Sequence, residues 1–263
     1  MINTSTPNFT KASENVFTDA EEDLFKKMRI VVLMPVAERP EAKTMKCVAD
    51  MVAYSWHKGL KVFEMGMTER TVVDWARNQL AREALQRQDP LEGKLYTHFL
   101  WIDSDMIFEP DMACQLSRHN VDMVSVVYYC RSGPALPLIY VKLEDEKIKD
   151  QPNYKYMMNP LLDIPPVLCK VDAFGFGACL INRKVFEQTP EPWFTIDYRA
   201  GEDIAFCVKV KEFGFQPMCD GAYSVAHQGL PQVVSKKDHI KWKADNQEQY
   251  LRDRVPVNLG DRL

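Results

Sequence analysis

Apolar residues fall along this chain in two rhythms. Arg29-Ile-Val-Val-Leu-Met-Pro35 is a continuous apolar run closed by a proline. A short β-rich run of that kind predicts a strand buried on both faces, as in a parallel sheet. Residues 41–57 then switch to helical spacing, with Met45, Val48, Ala49, Val52 and Trp56 on one stripe and Gly59 closing the helix behind them. Leu60–Met65 is the next predicted strand, Thr71–Gln86 an amphipathic helix, and Tyr96–Ile102 a third strand running into Asp103-Ser-Asp105. Strand, helix, strand, helix, strand predicts a doubly wound α/β half. Asp111–Arg118 continues it as a helix and Met123–Tyr129 as a strand. Residues 142–166, charged and proline-rich, predict a connection or small hairpin. Beyond them lie a strand pair over Lys170–Asn182, a helix over Glu202–Phe213 and a short strand over Phe215–Cys219. Residues 1 to about 27 are polar and lack a core pattern, which predicts an arm with a short helix across Asp19–Lys27.

Composition narrows the class. The 263 residues are 46% hydrophobic and 27% charged, ordinary for a globular protein with a full core. The net charge of −4 argues against a generic nucleic-acid binder, though not against a local basic patch. Seven scattered cysteines form no CxxC pair and read as small buried hydrophobes of a reducing compartment. The N-terminus lacks a basic segment followed by an apolar one, and no apolar run approaches the roughly 18 residues of a membrane span. A cytoplasmic protein without a membrane span is expected. No GxxxxGK[ST] or GxGxxG is present, so P-loop and dinucleotide-binding readings lose their motif.

Candidate chemistry gathers at a few positions. Asp103 and Asp105 end an apolar strand, and side chains two apart along a strand share a face. In open α/β sheets the carboxyl edge is where ligands bind, and paired carboxylates beside a diphosphate suit Mg²⁺ or Mn²⁺. The competing reading is a solvated turn in which Asp105 caps the next helix. Glu202 and Asp203 follow Gly201 at a predicted helix start, either as dipole-favoured acids or as a general base for a hydroxyl. His227 follows a short strand and reads as structural alone, or as the last protein ligand of a metal held by Asp105. The remaining histidines, His57, His98, His119 and His239, read as structural. Arg70 and Arg77, seven apart, share a helical face if that helix begins early, and Arg77-Asn78 faces the edge where Asp103 and Asp105 emerge. Arginine there pairs with phosphate oxygens or forms a solvated basic face.

In this order the pieces resemble the GT-A glycosyltransferases, particularly the family 2-like members of bacteria and phages. The strand ending in Pro35, Ala76-Arg-Asn78, Trp101-Ile-Asp-Ser-Asp105, Phe174-Gly-Phe-Gly-Ala-Cys-Leu-Ile-Asn-Arg183, Gly201-Glu-Asp203 and His227 carry the resemblance over about residues 29–230. It implies an α/β fold of GT-A type: a Rossmann-like, mostly parallel central sheet flanked by helices, with a smaller acceptor-side half. The corresponding division is an arm over 1–28, a nucleotide-sugar-binding half over 29–131 and an acceptor-binding half over 132–263, in one continuous domain. The resemblance also implies a Mn²⁺ or Mg²⁺ ion held by Asp105 and His227, with Asp103 on the ribose or the metal shell, and Asp203 or Glu202 as base. Donor contacts would come from Pro35, Glu38, Glu64, Arg70, Arg77 and Asn78. The chain departs from the family where Val36-Ala-Glu38-Arg-Pro replaces the usual Asn-Glu after the proline, and where Glu64 stands for a nucleobase-binding aspartate.

The implied activity is metal-dependent transfer of a sugar from a nucleotide-sugar, UDP-linked first, to a hydroxyl of a glycan, a protein or a hydroxymethylated DNA base. A metal-dependent nucleotidyltransferase and a non-catalytic sugar- or nucleic-acid-binding module are the alternatives. Lys236, Lys237, Lys241 and Lys243 with Trp242 form a lysine-rich tail. It reads as a nucleic-acid contact, or as a solvated helix face or a loop closing over the donor.

Overall fold

Thr18 opens the first helix with a capping box: its hydroxyl accepts from the Glu21 amide, and the Glu21 carboxylate accepts the Thr18 N–H at 2.7 Å. The computed structural model describes residues 17–69, 71–131, 133–143, 149–151, 154–196, 200–229 and 233–253. That helix, α1 (Asp19–Phe25), is followed by β1 (Arg29–Pro35), α2 (Ala42–His57), β2 (Lys61–Thr68), α3 (Val73–Gln86) and β3 (His98–Ile102). The predicted strand–helix alternation is therefore present, and Gly59 ends α2 with a left-handed φ of +80°. β4 (Met106–Ile107), α4 (Met112–Ser117) and β5 (Met123–Val127) come next, then β6 (Ile139–Lys142), β7 (Met158–Pro160), β8 (Leu168–Lys170), β9 (Ala173–Phe174) and β10 (Ala178–Asn182). The chain closes with α5 (Arg183–Gln188), α6 (Glu202–Glu212), β11 (Met218–Ser224), β12 (Ala226–Gln228), β13 (Val233–Val234), α7 (Lys236–Asp245) and α8 (Gln247–Asp253).

Seven strands form the central sheet in the order β2-β1-β3-β10-β5-β11-β8. β1 runs parallel to β2 and β3, and β11 parallel to β5, whereas β10 lies antiparallel between β3 and β5. Alternation along the strands sorts their side chains onto two faces. Val31, Leu33, Phe99, Trp101, Cys179 and Ile181 enter one core, while Ile30, Val32, Leu100, Ile102, Ala178 and Leu180 enter the other. The first core is dense in aromatic rings: Phe194 and Phe206 stack at 4.6 Å between centroids, and Trp101 meets Phe194 edge-on at 5.4 Å. With apolar layers on both faces, burial explains why these strands read as continuous apolar runs.

Three sequence expectations change. The segment Lys170–Asn182 is not a strand pair. It supplies β8 and β10 to the central sheet and β9 to a three-stranded sheet of order β7-β6-β9, because the glycines at 175 and 177 break the run between them. The connection over 142–166 does contain a hairpin-like pairing, but its strands start earlier, at Ile139, with Tyr140 opposite Pro160. The N-terminal arm also reaches the core: Phe17, Phe25 and Met28 are buried, Phe17 and Phe25 packing edge-to-face at 5.2 Å. Five of the cysteines are buried, and Cys47 and Cys130 are half-buried. Among the described residues no helix is long and apolar enough to cross a membrane.

Candidate functional site

β3 stops at Ile102, and the next three residues turn across the carboxyl edge of the sheet. Backbone bonds pin that turn: Asp103 N donates to Gly177 O at 2.9 Å, Glu41 N to Ser104 O at 2.9 Å, and Gln228 N to Asp105 O at 2.8 Å. Past the turn, β4 and β12 pair antiparallel with Met106 opposite His227. This second small sheet delivers His227 to Asp105. A cleft of about 330 Å³ opens here, lined by Pro35, Arg77, Asp103, Asp105, Tyr128, Arg131, Glu202, Asp203 and His227 among others.

Asp103 and Asp105 both line the cleft but pair with different cations. Strand alternation ends where the chain turns, so each carboxylate finds its own cation. Asp103 Oδ1 accepts from the Arg77 guanidinium at 2.8 Å. Arg77 is buried to 3% exposure, lies 3.3 Å from Glu202 Oε1, and rests its guanidinium 4.9 Å from the centre of the Phe176 ring. Burial pushes the Asp103 carboxyl up; Arg77 opposes this, and the charges of Asp105 and Glu202 reinforce it. Asp105 Oδ2 instead meets the Arg131 guanidinium and stands 3.4 Å from His227 Nε2. His227 Nδ1 faces the Tyr129 carbonyl at 2.9 Å, and donating a proton there leaves Nε2 turned toward Asp105. Burial pulls the His227 pKa down, but hydrogen bonding to Asp105 and its charge outweigh that and leave it raised.

Glu202 and Asp203 begin α6, and their environments separate them. Glu202 is 12% exposed and paired with Arg77. Asp203 has no ion pair among the described residues and accepts only its neighbour's amide, Ile204 N, at 2.7 Å. Burial, then the Glu202 charge, raises its pKa to about 6 in spite of Arg77. A carboxyl of that kind at a cleft wall suits proton transfer near neutral pH.

The cleft's own chemistry favours a divalent cation. Among its lining residues, four carboxylates face two guanidiniums, 2 − 4 = −2 with His227 neutral. A diphosphate would be repelled there without an added cation. Neighbouring ligands of an octahedral ion with bonds of roughly 2.1 Å lie about 3 Å apart, close to the Asp105–His227 spacing. An organic cation, Arg131, already sits on Asp105. These residues fit a Mg²⁺ or Mn²⁺ held by one carboxylate and one imidazole, with its remaining positions left to water and phosphate. The three-ligand set does not assemble: among the described residues no group of three His, Cys, Asp or Glu side chains converges at metal distance. Arg77 is the reason, because it holds Asp103 aside.

Other expected contacts scatter. Asn78 is saturated within the protein: its amide donates to Asp74 O and Phe194 O, and its oxygen accepts from Trp193 N and Phe194 N. It therefore ties down the loop before α6 and offers nothing to a donor. Arg77, buried among the protein's carboxylates, orients Asp103 rather than presenting a free fork to phosphate. Glu64 sits 3.7 Å from Arg87 and beside Tyr96, away from the cleft. Glu38 is exposed on the loop after β1 and does not line the cleft, whereas Pro35 does. Arg70 lies outside the described residues. In the tail, Lys243 bonds Asp163 at 2.6 Å and Trp242 stacks near His239 at 5.9 Å, which leaves Lys236, Lys237 and Lys241 exposed along α7. His119 does have an acidic partner, Asp220 at 2.8 Å, a long-range contact invisible in sequence.

Two site residues escaped sequence reasoning. Arg131 carries no local motif. Tyr128 fills the space above two glycines: a Cβ on Gly175 would lie 2.0 Å from the Tyr128 hydroxyl, and one on Gly177 2.6 Å from its ring. Gly177 N donates to that hydroxyl at 3.0 Å. The alternating glycines of Phe174-Gly-Phe-Gly were the available signal, since glycine in a strand run marks close approach.

No family model and no curated protein sequence matches the chain. Among solved structures, A197 from STIV matches with a TM-score of 0.53 at 17% identity, over 79% of this chain and 94% of that one. GalNAc-T7 with UDP, GalNAc and Mn²⁺ matches with a TM-score of 0.48 at 12% identity, over 85% of this chain and 50% of that one. Glucosyl-3-phosphoglycerate synthase from Mycobacterium tuberculosis, with Mn²⁺, UDP-glucose and phosphoglyceric acid, matches with a TM-score of 0.41 at 14% identity, over 94% and 88% of the two chains. The chain has the fold of A197, an α/β fold with a mixed, mostly parallel central sheet flanked by helices.

Proposed function

We propose that the cleft is the donor site of a metal-dependent glycosyltransferase that moves a sugar from a nucleotide-sugar, UDP-linked first, to an acceptor hydroxyl. The observation that carries the reading is the pairing of Asp105 with His227 across the β4–β12 register, in the cleft that Asp203 also lines. One feature binds a cation and the other accepts a proton, and transfer to a hydroxyl needs both.

Asp105 and His227 would hold the Mn²⁺ or Mg²⁺, which supplies positive charge to the departing diphosphate. Arg77 fixes the Asp103 carboxylate toward the ribose side and keeps Glu202 out of the acid–base role by pairing with it. Asp203 takes the proton of the attacking hydroxyl. With a pKa near 6 it is mostly ionised at neutral pH and still basic enough to accept that proton. A single displacement with one base inverts the anomeric centre. The acceptor class is a glycan, protein or hydroxymethylated DNA base; exposed Lys236, Lys237 and Lys241 favour an anionic acceptor.

The test is calorimetric titration of the purified protein with a panel of nucleotide-sugars in Mn²⁺, followed by product analysis. Saturable binding of one donor, abolished by a chelator, is expected. A protein that binds none of the panel with either ion is not a glycosyltransferase of this kind.

A further inference from the structure

The two arginines of the cleft differ in one decisive respect. Arg77 is locked, its side chain 4% exposed between two carboxylates. Arg131 has a side chain 53% exposed and, among the described residues, ion-pairs with Asp105 Oδ2 alone. That oxygen is also the one that faces His227 Nε2.

We propose that Arg131 is an exchangeable counter-cation: it neutralises Asp105 while the cation position is empty, and on loading it swings to the donor diphosphate. The inference rests on the metal reading above and deepens it. Three features carry it. First, an ion and a guanidinium compete for Asp105 Oδ2, since like charges would meet on one oxygen. Second, the segment that carries Arg131 is held by other groups and not by that side chain, His239 Nδ1 meeting the Ala135 carbonyl at 2.9 Å. Cys130 N donates to Leu136 O at 2.8 Å and Leu138 N to Tyr128 O at 2.9 Å. The side chain can therefore move without disturbing β5. Third, a guanidinium displaced from Asp105 stays beside the same cleft, where its planar fork matches two oxygens of a diphosphate.

The exchange predicts opposite effects on two ligands, which a merely structural arginine would not produce. In Arg131→Met, Mn²⁺ titrated alone should bind more tightly, by about fivefold for a partly exposed ion pair worth roughly 1 kcal/mol. Inorganic pyrophosphate, titrated in saturating Mg²⁺, should bind more weakly by about tenfold or more, the loss of a charge-assisted pair. Arg131→Lys should restore most of the competition with Mn²⁺ and less of the pyrophosphate affinity, because it keeps the charge and loses the fork. Unchanged or weaker Mn²⁺ binding in Arg131→Met, with wild-type binding intact and lost in Asp105→Asn, overturns the exchange and leaves the metal site standing. Wild-type protein that binds no Mn²⁺, with or without pyrophosphate, removes the metal reading and the exchange together.

Discussion

His227 Nε2 stands 3.4 Å from Asp105 Oδ2 because β12 pairs with β4 in one register, His227 opposite Met106. Asp105→Ala and His227→Ala are each expected to abolish Mn²⁺-dependent donor binding while leaving the fold intact. The measurement is donor titration with and without chelator, alongside thermal melts. A large loss of melting temperature with donor affinity unchanged in the folded fraction would make His227 a structural residue.

Arg77 is the only cation that balances Asp103 and Glu202 among the described contacts. Arg77→Met should cost about 3 kcal/mol of stability, the low end for breaking a buried pair, because Asp103 retains 30% exposure. Denaturant unfolding reads this directly. Adding Asp103→Asn should recover part of the loss, since one of the uncompensated charges is then gone.

Asp203→Asn should lower turnover by about 10²–10⁴-fold with donor affinity little changed, the signature of a base that acts in the transition state. Glu202→Gln is the control, and a larger effect there would move the role by one residue. In wild type, turnover should fall as pH drops through about 6, where Asp203 takes up its proton. A profile flat to pH 5 would exclude Asp203 as the base.

The same carboxyl sets a stability slope. Its folded pKa of about 6 lies above its ordinary 3.8, so between those values the folded chain holds a proton that the unfolded chain has released. This contribution is therefore present at low pH and lost as pH rises through about 6. Asp203→Asn should be more stable than wild type above pH 6, and the difference should shrink toward pH 4. Chemical denaturation across that range checks both the sign and the window.

Gly175→Ala should destabilise strongly, because its Cβ would lie 2.0 Å from the Tyr128 hydroxyl. Tyr128→Ala in the same chain should relieve much of that clash. If the single variant melts like wild type, the close approach of Tyr128 to this strand is not a constraint.

The strand–helix alternation was legible because burial on both sheet faces leaves long apolar runs, as in β1 and β3. The short helix across Asp19–Lys27 was legible as well, but the burial of Phe17 and Phe25 was not, because two apolar residues are too few to form a visible stripe. At the site, Asp105, His227 and Asp203 could be named from their positions in the chain. Their partners could not. Arg131 meets Asp105, Arg77 meets Glu202 and His119 meets Asp220 only through sheet order. The i, i+2 rule does not govern Asp103 and Asp105, because β3 ends at Ile102 and both residues lie in the segment beyond it.

The placement of β10 has a consequence for biosynthesis. β3 and β5 are not neighbours; each is completed only by β10, which runs between them. A ribosome that has released residues 98–127 has made two strands whose facing edges stay raw until residues 178–182 emerge. Over that interval the nascent chain exposes unpaired, strongly apolar edges, the feature that invites chaperone capture and aggregation. A chain cut between β5 and β10 therefore cannot close its central sheet, and supplying the missing strand in trans as a separate polypeptide is the way to restore it.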